Sequence, residues 1–245
     1  MEHVGRNSPP DMPDALRNAL NKLAIGGRIL DREGHGSRAV GHLALRDPDG
    51  RGFWLKRSGI GLDEVADWRD FILLAFDGKR MAGNGRRHVE WPIHAEILKA
   101  RPDLSCTGHT HPYHARVFSA CTVPLRAVSS PGANFLHPPP RFTLTSDLIT
   151  TVEEGIALAQ CLGDNNAAFL RNHGVVFCGA TIADAVMSGI YIEEACREQL
   201  AVGASGFPWE WPDETEHAAK FRKKGANNDN FFDYYSRQLA KPADG

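Results

Sequence analysis

Apolar positions along this chain recur with two different periods, and the changeover between them outlines the fold. Leu16, Leu20 and Leu23 follow helical spacing, which predicts a first helix stopped by Gly26-Gly27. From 28 to 90 the period shortens. GHLALRD, GFWLKRSG and FILLAFDGK are strand-like runs separated by Gly, Asp and Pro turns, with Asp49-Gly50 and Asp77-Gly78 as hairpin turns. A helix is expected from Trp91-Pro92 to Arg101, since proline is tolerated in a first helical turn and Pro102-Asp103 closes the segment. Further strand-like pieces lie between 121 and 144, broken by prolines at 131 and 138–140. Thr145-Ser146-Asp147 marks the start of a helix reaching Leu162. AAFLRNHGVVFCG reads as two strands turned tightly at Asn172-His173-Gly174. Thr181 with Asp184 forms a capping box for a long amphipathic helix to about Val202. After a polar break at 225–230, FFDYYSRQLAK predicts a last helix. The first ten residues read as a flexible arm, and 11–245 as one α/β domain ending in a helical tail, because strands and helices are interleaved throughout.

Chemistry enters with His109-Thr110-His111, at the end of the strand that follows Pro102-Asp103. Strand side chains alternate, so two histidines one residue apart project from the same face and can converge on one divalent cation. His173 stands in a comparable position in the later hairpin turn, and Glu90 lies at the start of the 91–101 helix. Three neutral imidazoles and one carboxylate would leave a divalent ion with net positive charge, able to act as a Lewis acid. His94, four residues after Glu90, shares its helix face and is a candidate acid or base. His114, three residues past His111, is a weaker one.

Composition narrows the partners. The chain has 245 residues, 42% of them hydrophobic and 24% charged, with a net charge of -2, which is the profile of a soluble globular protein without a nucleic-acid surface. The cysteines, Cys106, Cys121, Cys161, Cys178 and Cys196, are odd in number and form no Cys-x-x-Cys, which argues against a disulfide framework or a thiolate zinc site. No secretory leader or membrane-length apolar run is present, and a cytoplasmic location is expected.

The order of a glutamate at a helix start, His-x-His-Pro, and Asn-His-Gly before a capped helix resembles the class II aldolase/adducin family over about residues 15–240. The resemblance implies a three-layer α/β/α domain with a central, mainly antiparallel sheet. It implies that His109, His111 and His173 bind the metal. Glu90 would ligate it too, or serve as acid/base when substrate displaces it. The ion implied is manganese or zinc, ahead of cobalt or iron. A tetramer or larger homo-oligomer with active sites at subunit boundaries is also implied. In that family a C-terminal tyrosine reaches a neighbour's site, which singles out Tyr234 or Tyr235.

The sugar-phosphate aldolases hold phosphate with Gly-Asn-x-Ser, Thr-Pro-Ser-Gly and Ser-Ser elements. Here those positions read Gly41-His42-Leu43-Ala44, Lys56-Arg57-Ser58-Gly59 and Arg87-His88. Small phosphate-cradling donors have given way to bulkier, partly cationic groups that suit a carboxylate. Ser58, Gly59, Arg86, Arg87, His88 and the turn glycine Gly132 are therefore the expected substrate-binding residues. The run HVEWPIHAEILKARPD is similar to that of the hydroxy-aromatic and pyridine dicarboxylate decarboxylases of the family. The expected activity is metal-dependent decarboxylation of such a carboxylate, with a tyrosine, Glu90 or His94 protonating the ring. An aldolase acting on a hydroxy or keto acid or a sugar derivative, and a mononuclear iron oxygenase, are the alternatives. A non-catalytic adducin-like role is disfavoured because the three histidines and Glu90 are all present.

Overall fold

The computed structural model describes residues 12–222 and 227–241. Its strands are β1 (His42–Arg46), β2 (Phe53–Lys56), β3 (Phe71–Leu74), β4 (Arg80–Ala82), β5 (Cys106–Thr110), β6 (Arg141–Phe142), β7 (Ala167–Leu170) and β8 (Gly174–Gly179). Its helices are α1 (Asp14–Leu30), α2 (Trp91–Ala100), α3 (Tyr113–Phe118), α4 (Val152–Leu162), α5 (Ile182–Ala204), α6 (Glu214–Phe221) and α7 (Asn228–Gln238). The strands form one sheet in the order β4-β3-β2-β1-β5-β8-β7-β6, antiparallel except where β6 meets β7.

Strand alternation splits the core into two. Leu43, Leu45, Cys106, Val175 and Phe177 face a layer built from α1, α5 and Phe232 of α7. Ala44, Leu55, Val176 and Cys178 face α2 and α4. The result is the expected α/β/α sandwich, and it sets the parity of the site: His42 pairs directly with His109 across β1 and β5, on the α2 side.

Several local expectations are corrected. Gly26-Gly27 does not stop α1, which runs on to Leu30. A Cβ on Gly26 would lie 2.8 Å from the Val186 side chain, so this glycine lets α1 approach α5 rather than ending it. The α4 helix starts not at Thr145-Ser146-Asp147 but after Thr151, whose hydroxyl and Glu154 form a reciprocal capping box. Thr145 and Asp147 instead hold a loop through bonds to the backbone N–H groups of Asp147 and Leu148. Of the 121–144 segment only Arg141–Phe142 joins the sheet, because its prolines withdraw ladder donors. Asn228–Asn230 belong to the first turn of α7, not to a break. α3 and α6 carry no periodic signal long enough to predict. The expected flexible arm, residues 1–10, lies outside the described residues. Among those described, no helix is long and apolar enough to cross a membrane.

Candidate metal centre

Three segments distant in sequence meet at one end of the sheet. His109 is the fourth residue of β5 and wholly buried, and its Nδ1 lies 2.9 Å from the carbonyl oxygen of Val175 on β8. A carbonyl only accepts, so Nδ1 carries a proton, and in the neutral ring Nε2 then bears the lone pair. His111 lies one residue past the strand end, with its ring 4.6 Å from that of His109. His173 occupies the β7–β8 turn, which Asn172 enables by adopting a left-handed backbone with φ of 57°. Its ring is 5.0 Å from both others. Gly174 follows because a Cβ there would sit 2.5 Å from the Thr110 carbonyl oxygen and 2.8 Å from the His111 ring. The Asn-His-Gly signature thus encodes a turn pressed against the His-x-His strand.

Glu90 completes the group. It precedes α2, and its Oε1 accepts a 3.2 Å hydrogen bond from the backbone N–H of Ile149. Oε2 lies 3.6 Å from His109 Nε2 and Oε1 lies 3.9 Å from His173 Nε2. Burial would raise the Glu90 carboxyl, but the imidazoles around it, His109 foremost, hold it well below the usual carboxylate range. Burial, followed by His109 and His173, pushes His111 down to about 3, and burial first of all lowers His173. These rings are therefore neutral, the form that ligates metal.

The donor set fits a divalent cation. Nitrogens of His109, His111 and His173 lie within 4.8 Å of one another. His109 Nε2, His111 Nδ1 and His173 Nδ1 are buried without a hydrogen-bond partner among the described residues, an arrangement that costs about 1–3 kcal/mol per group unless something takes up the lone pair. A second set, His42, Glu90 and His109, meets the same distance criterion. It shares the single lone pair of His109, so the two sets describe alternatives for one ion, not two ions.

The group opens onto a cavity of about 620 Å³. Ser58, Arg86, Arg87 and His88 line it as expected, joined by Arg38, Arg116, Leu148 and His42. The loops carrying Ser58 and Arg86 are tied together by a 2.8 Å bond between Ser58 N–H and the Arg86 carbonyl. Among these, the Arg87 guanidinium is held by the Gly78 carbonyl and lies 5.1 Å over the Trp91 ring. Other expected residues do not line the cavity. Gly59, at φ of 90°, supplies the turn beside Ser58 but does not line the cavity. Gly132 lines a separate cavity of about 590 Å³ with Phe135, Trp211 and His217. Tyr234 is half exposed on α7, in the opposite helical layer, with its ring on Tyr235. His114 is held by Glu193 at 2.7 Å.

His94 shares a helix face with Glu90 but is wholly buried behind His42, and burial pushes it down to about 3. The residue that lines the cavity in its place is His42, 3.8 Å from Glu90 Oε2. Sequence reasoning passed over His42 as a site residue. The signal lay in its occupying the place of the asparagine in Gly-Asn-x-Ser, but its proximity to His109 depends on the β1–β5 register.

An eight-stranded, mainly antiparallel α/β/α fold with three histidines and a glutamate at the sheet end defines a protein of the class II aldolase type. Residues 21–200 match the Class II Aldolase and Adducin N-terminal domain, and the chain belongs to that family. It is 28% identical over 189 residues to the Meiotically up-regulated gene 14 protein of Schizosaccharomyces pombe, covering 76% of this chain and 73% of that protein. It is 27% identical over 207 residues to the 3,4-dihydroxyphthalate decarboxylase of Rhodococcus jostii, covering 78% and 83%. Among solved structures, the L-fuculose 1-phosphate aldolase of Glaciozyma antarctica matches with a TM-score of 0.79 at 29% identity, covering 95% of this chain and 93% of that one. The family therefore includes both decarboxylases and aldolases, which are lyases, and class II aldolases depend on a divalent metal.

Proposed function

We propose that this protein is a divalent-metal-dependent carbon–carbon lyase that removes carbon dioxide from a hydroxylated aromatic or pyridine dicarboxylate. The observation that carries this reading is the charge at the cavity mouth. Arg38, Arg86 and Arg116 line the cavity, all exposed, and no acidic side chain pairs with any of them among the described residues. Unpaired guanidiniums around a neutral-histidine centre are suited to an anionic substrate, and the planar fork of arginine matches a carboxylate. Likeness to the R. jostii decarboxylase supports the choice of substrate class.

Held by His109, His111 and His173, manganese or zinc supplies Lewis-acid stabilisation of developing negative charge. Glu90, ionised in its cage of imidazoles, accepts the proton of the ring hydroxyl as substrate binds. It returns that proton to the ring carbon bearing the carboxylate. The bond to the carboxylate carbon then breaks, its electron pair restores the aromatic ring, and carbon dioxide leaves. Arg86 and Arg116 hold the second carboxylate, while Leu148 and Val89 provide apolar contact for the ring. The proposed assembly is a homo-oligomer, tetramer or larger, in which the exposed Tyr234 serves a neighbouring subunit. The proposed location is cytoplasmic.

Glu90→Gln keeps the volume of the side chain and removes its basicity. Turnover by the metal-loaded variant is expected to fall about 100-fold or more, the scale for losing a general acid/base. A wild-type turnover number would reduce Glu90 to a scaffold residue.

The overall reading is tested by loading the metal-free protein with manganese or zinc and assaying dihydroxyphthalates and hydroxypyridine dicarboxylates for carbon dioxide release. Arg86→Ser is expected to raise KM for a dicarboxylate far more than for its monocarboxylate analogue. Efficient cleavage of a ketose phosphate without carbon dioxide would establish an aldolase, a reading the match to the G. antarctica enzyme favours. Turnover that requires oxygen and ferrous iron would establish an oxygenase instead.

A further inference from the structure

Behind the metal centre runs a buried row of hydrogen bonds that reaches the cavity only at His42. His42 Nδ1 lies 2.6 Å from His94 Nε2, and His94 Nδ1 lies 2.7 Å from the Thr107 hydroxyl. His42, His94 and Thr107 are 2%, 0% and 0% exposed, so each link has to be satisfied from within the row. The strand register explains why these three meet. Thr107 and His109 are two apart on β5 and face α2, His42 pairs with His109, and His94 projects from α2 onto both.

A neutral imidazole has one N–H and one lone pair. The direction of donation therefore propagates along the row, and fixing one end fixes every link. At the far end, His94 is the hydrogen-bond partner of the Thr107 hydroxyl. Were that hydroxyl to accept, its own hydrogen would be buried without a partner among the described residues, at a cost of about 1–3 kcal/mol. Donating leaves only a spare lone pair, which proteins tolerate better. Thr107 O–H thus donates to His94 Nδ1, His94 Nε2–H donates to His42 Nδ1, and His42 is left with Nε2–H. At the near end, His42 Nε2 faces Glu90 Oε2 at 3.8 Å, beyond hydrogen-bond reach, so the direction of the row is set at its Thr107 end.

We infer that Thr107 and His94 are positioning residues that lock His42 as a hydrogen-bond donor to the cavity, making His42 a specificity-determining residue and barring it from the metal. His42 belongs to one of the two sets whose spacing would admit a cation. Its direction of donation resolves the ambiguity in favour of His109, His111 and His173. A fixed N–H at this wall selects an oxygen that can accept, such as a carboxylate or deprotonated hydroxyl, and disfavours a group that can only donate. Identifying that oxygen as part of a ring carboxylate rests on the proposed reaction. The direction of the row does not.

The test uses the full chain loaded with zinc and labelled with nitrogen-15 at histidine. Long-range proton–nitrogen correlation is expected to show His42 and His94 both protonated at Nε2 and bare at Nδ1. Thr107→Val, which is close to isosteric, is expected to move the His94 Nδ1 resonance downfield as its hydrogen bond is lost. Thr107→Ser should leave that resonance in place. His42→Phe is expected to retain one zinc per chain. Protonation of His42 at Nδ1, or loss of zinc in His42→Phe with the fold intact by circular dichroism, would overturn the inference. Should Thr107→Val fail to fold, the wild-type spectrum and the serine variant still decide it. None of these readouts needs turnover, so failure of the decarboxylase assay and failure of this inference remain separate results.

Discussion

The double variant His109→Ala/His111→Ala is expected to purify folded, without stoichiometric metal and without activity. Its substitutions remove two of the three imidazoles whose nitrogens lie within 4.8 Å of one another, leaving His173 and Glu90. One imidazole and one carboxylate cannot enclose a tetrahedral or octahedral ion against competition from water. Stability should move in a way that identifies the cause. The metal-free wild type already buries His109 Nε2 and His111 Nδ1 without partners among the described residues, each costing about 1–3 kcal/mol. Truncation removes that cost while losing packing, so metal-free variant and metal-free wild type should melt at similar temperatures. Adding metal separates them. An ion present at one hundred times its dissociation constant stabilises the wild type by about 2.7 kcal/mol and leaves the variant unmoved. Stoichiometric metal in the purified double variant would place the site elsewhere.

Acid is expected to unfold the metal-free protein steeply between pH 6 and 4. His35 and His94 are both fully buried, and burial pushes each down to about 3 from an ordinary 6.5. The unfolded chain therefore binds more protons than the folded one throughout the interval from about 6.5 to about 3. Stability is complete above 6.5 and declines as pH falls. Each histidine contributes a slope of up to about 1.4 kcal/mol per pH unit. Two together remove about 5 kcal/mol in two units, comparable with the whole stability of an ordinary domain. His35 also holds the Thr110 hydroxyl at 2.8 Å, so His35→Gln keeps a polar partner there while abolishing the titration. Urea midpoints measured from pH 7 to 4.5 should fall less steeply in that variant. A midpoint that does not change with pH in the wild type would mean these rings protonate without unfolding.

What was legible in the sequence was what neighbouring residues decide among themselves. His109 and His111 share a face through the strand repeat alone, and Thr181 with Asp184 caps α5 across a single turn. Asp49-Gly50 and Asp77-Gly78 turn the chain because Gly50 and Gly78 both take positive φ. Features that depend on a distant partner were misread or missed. Gly26 resembles a helix stop until Val186 is seen against it. His94 shares its helix face with Glu90, yet only the β1–β5 register shows that His42 stands between it and the cavity.

The close fit of Gly174 against Thr110 and His111 bears on how the protein matures. His173 can reach His109 and His111 only after β5 and β8 have found their register, and Glu90 can reach them only after α2 has docked on the sheet. In a nascent chain the histidine pair near residue 110 is a weak, open chelator, and the remaining donors are far away along an unpaired polymer. High-affinity capture of the ion is thus postponed until the long-range pairing of the central strands is complete. An ion held by these residues would therefore be loaded after the sheet has assembled, and its arrival would report that the sheet has closed in the correct register.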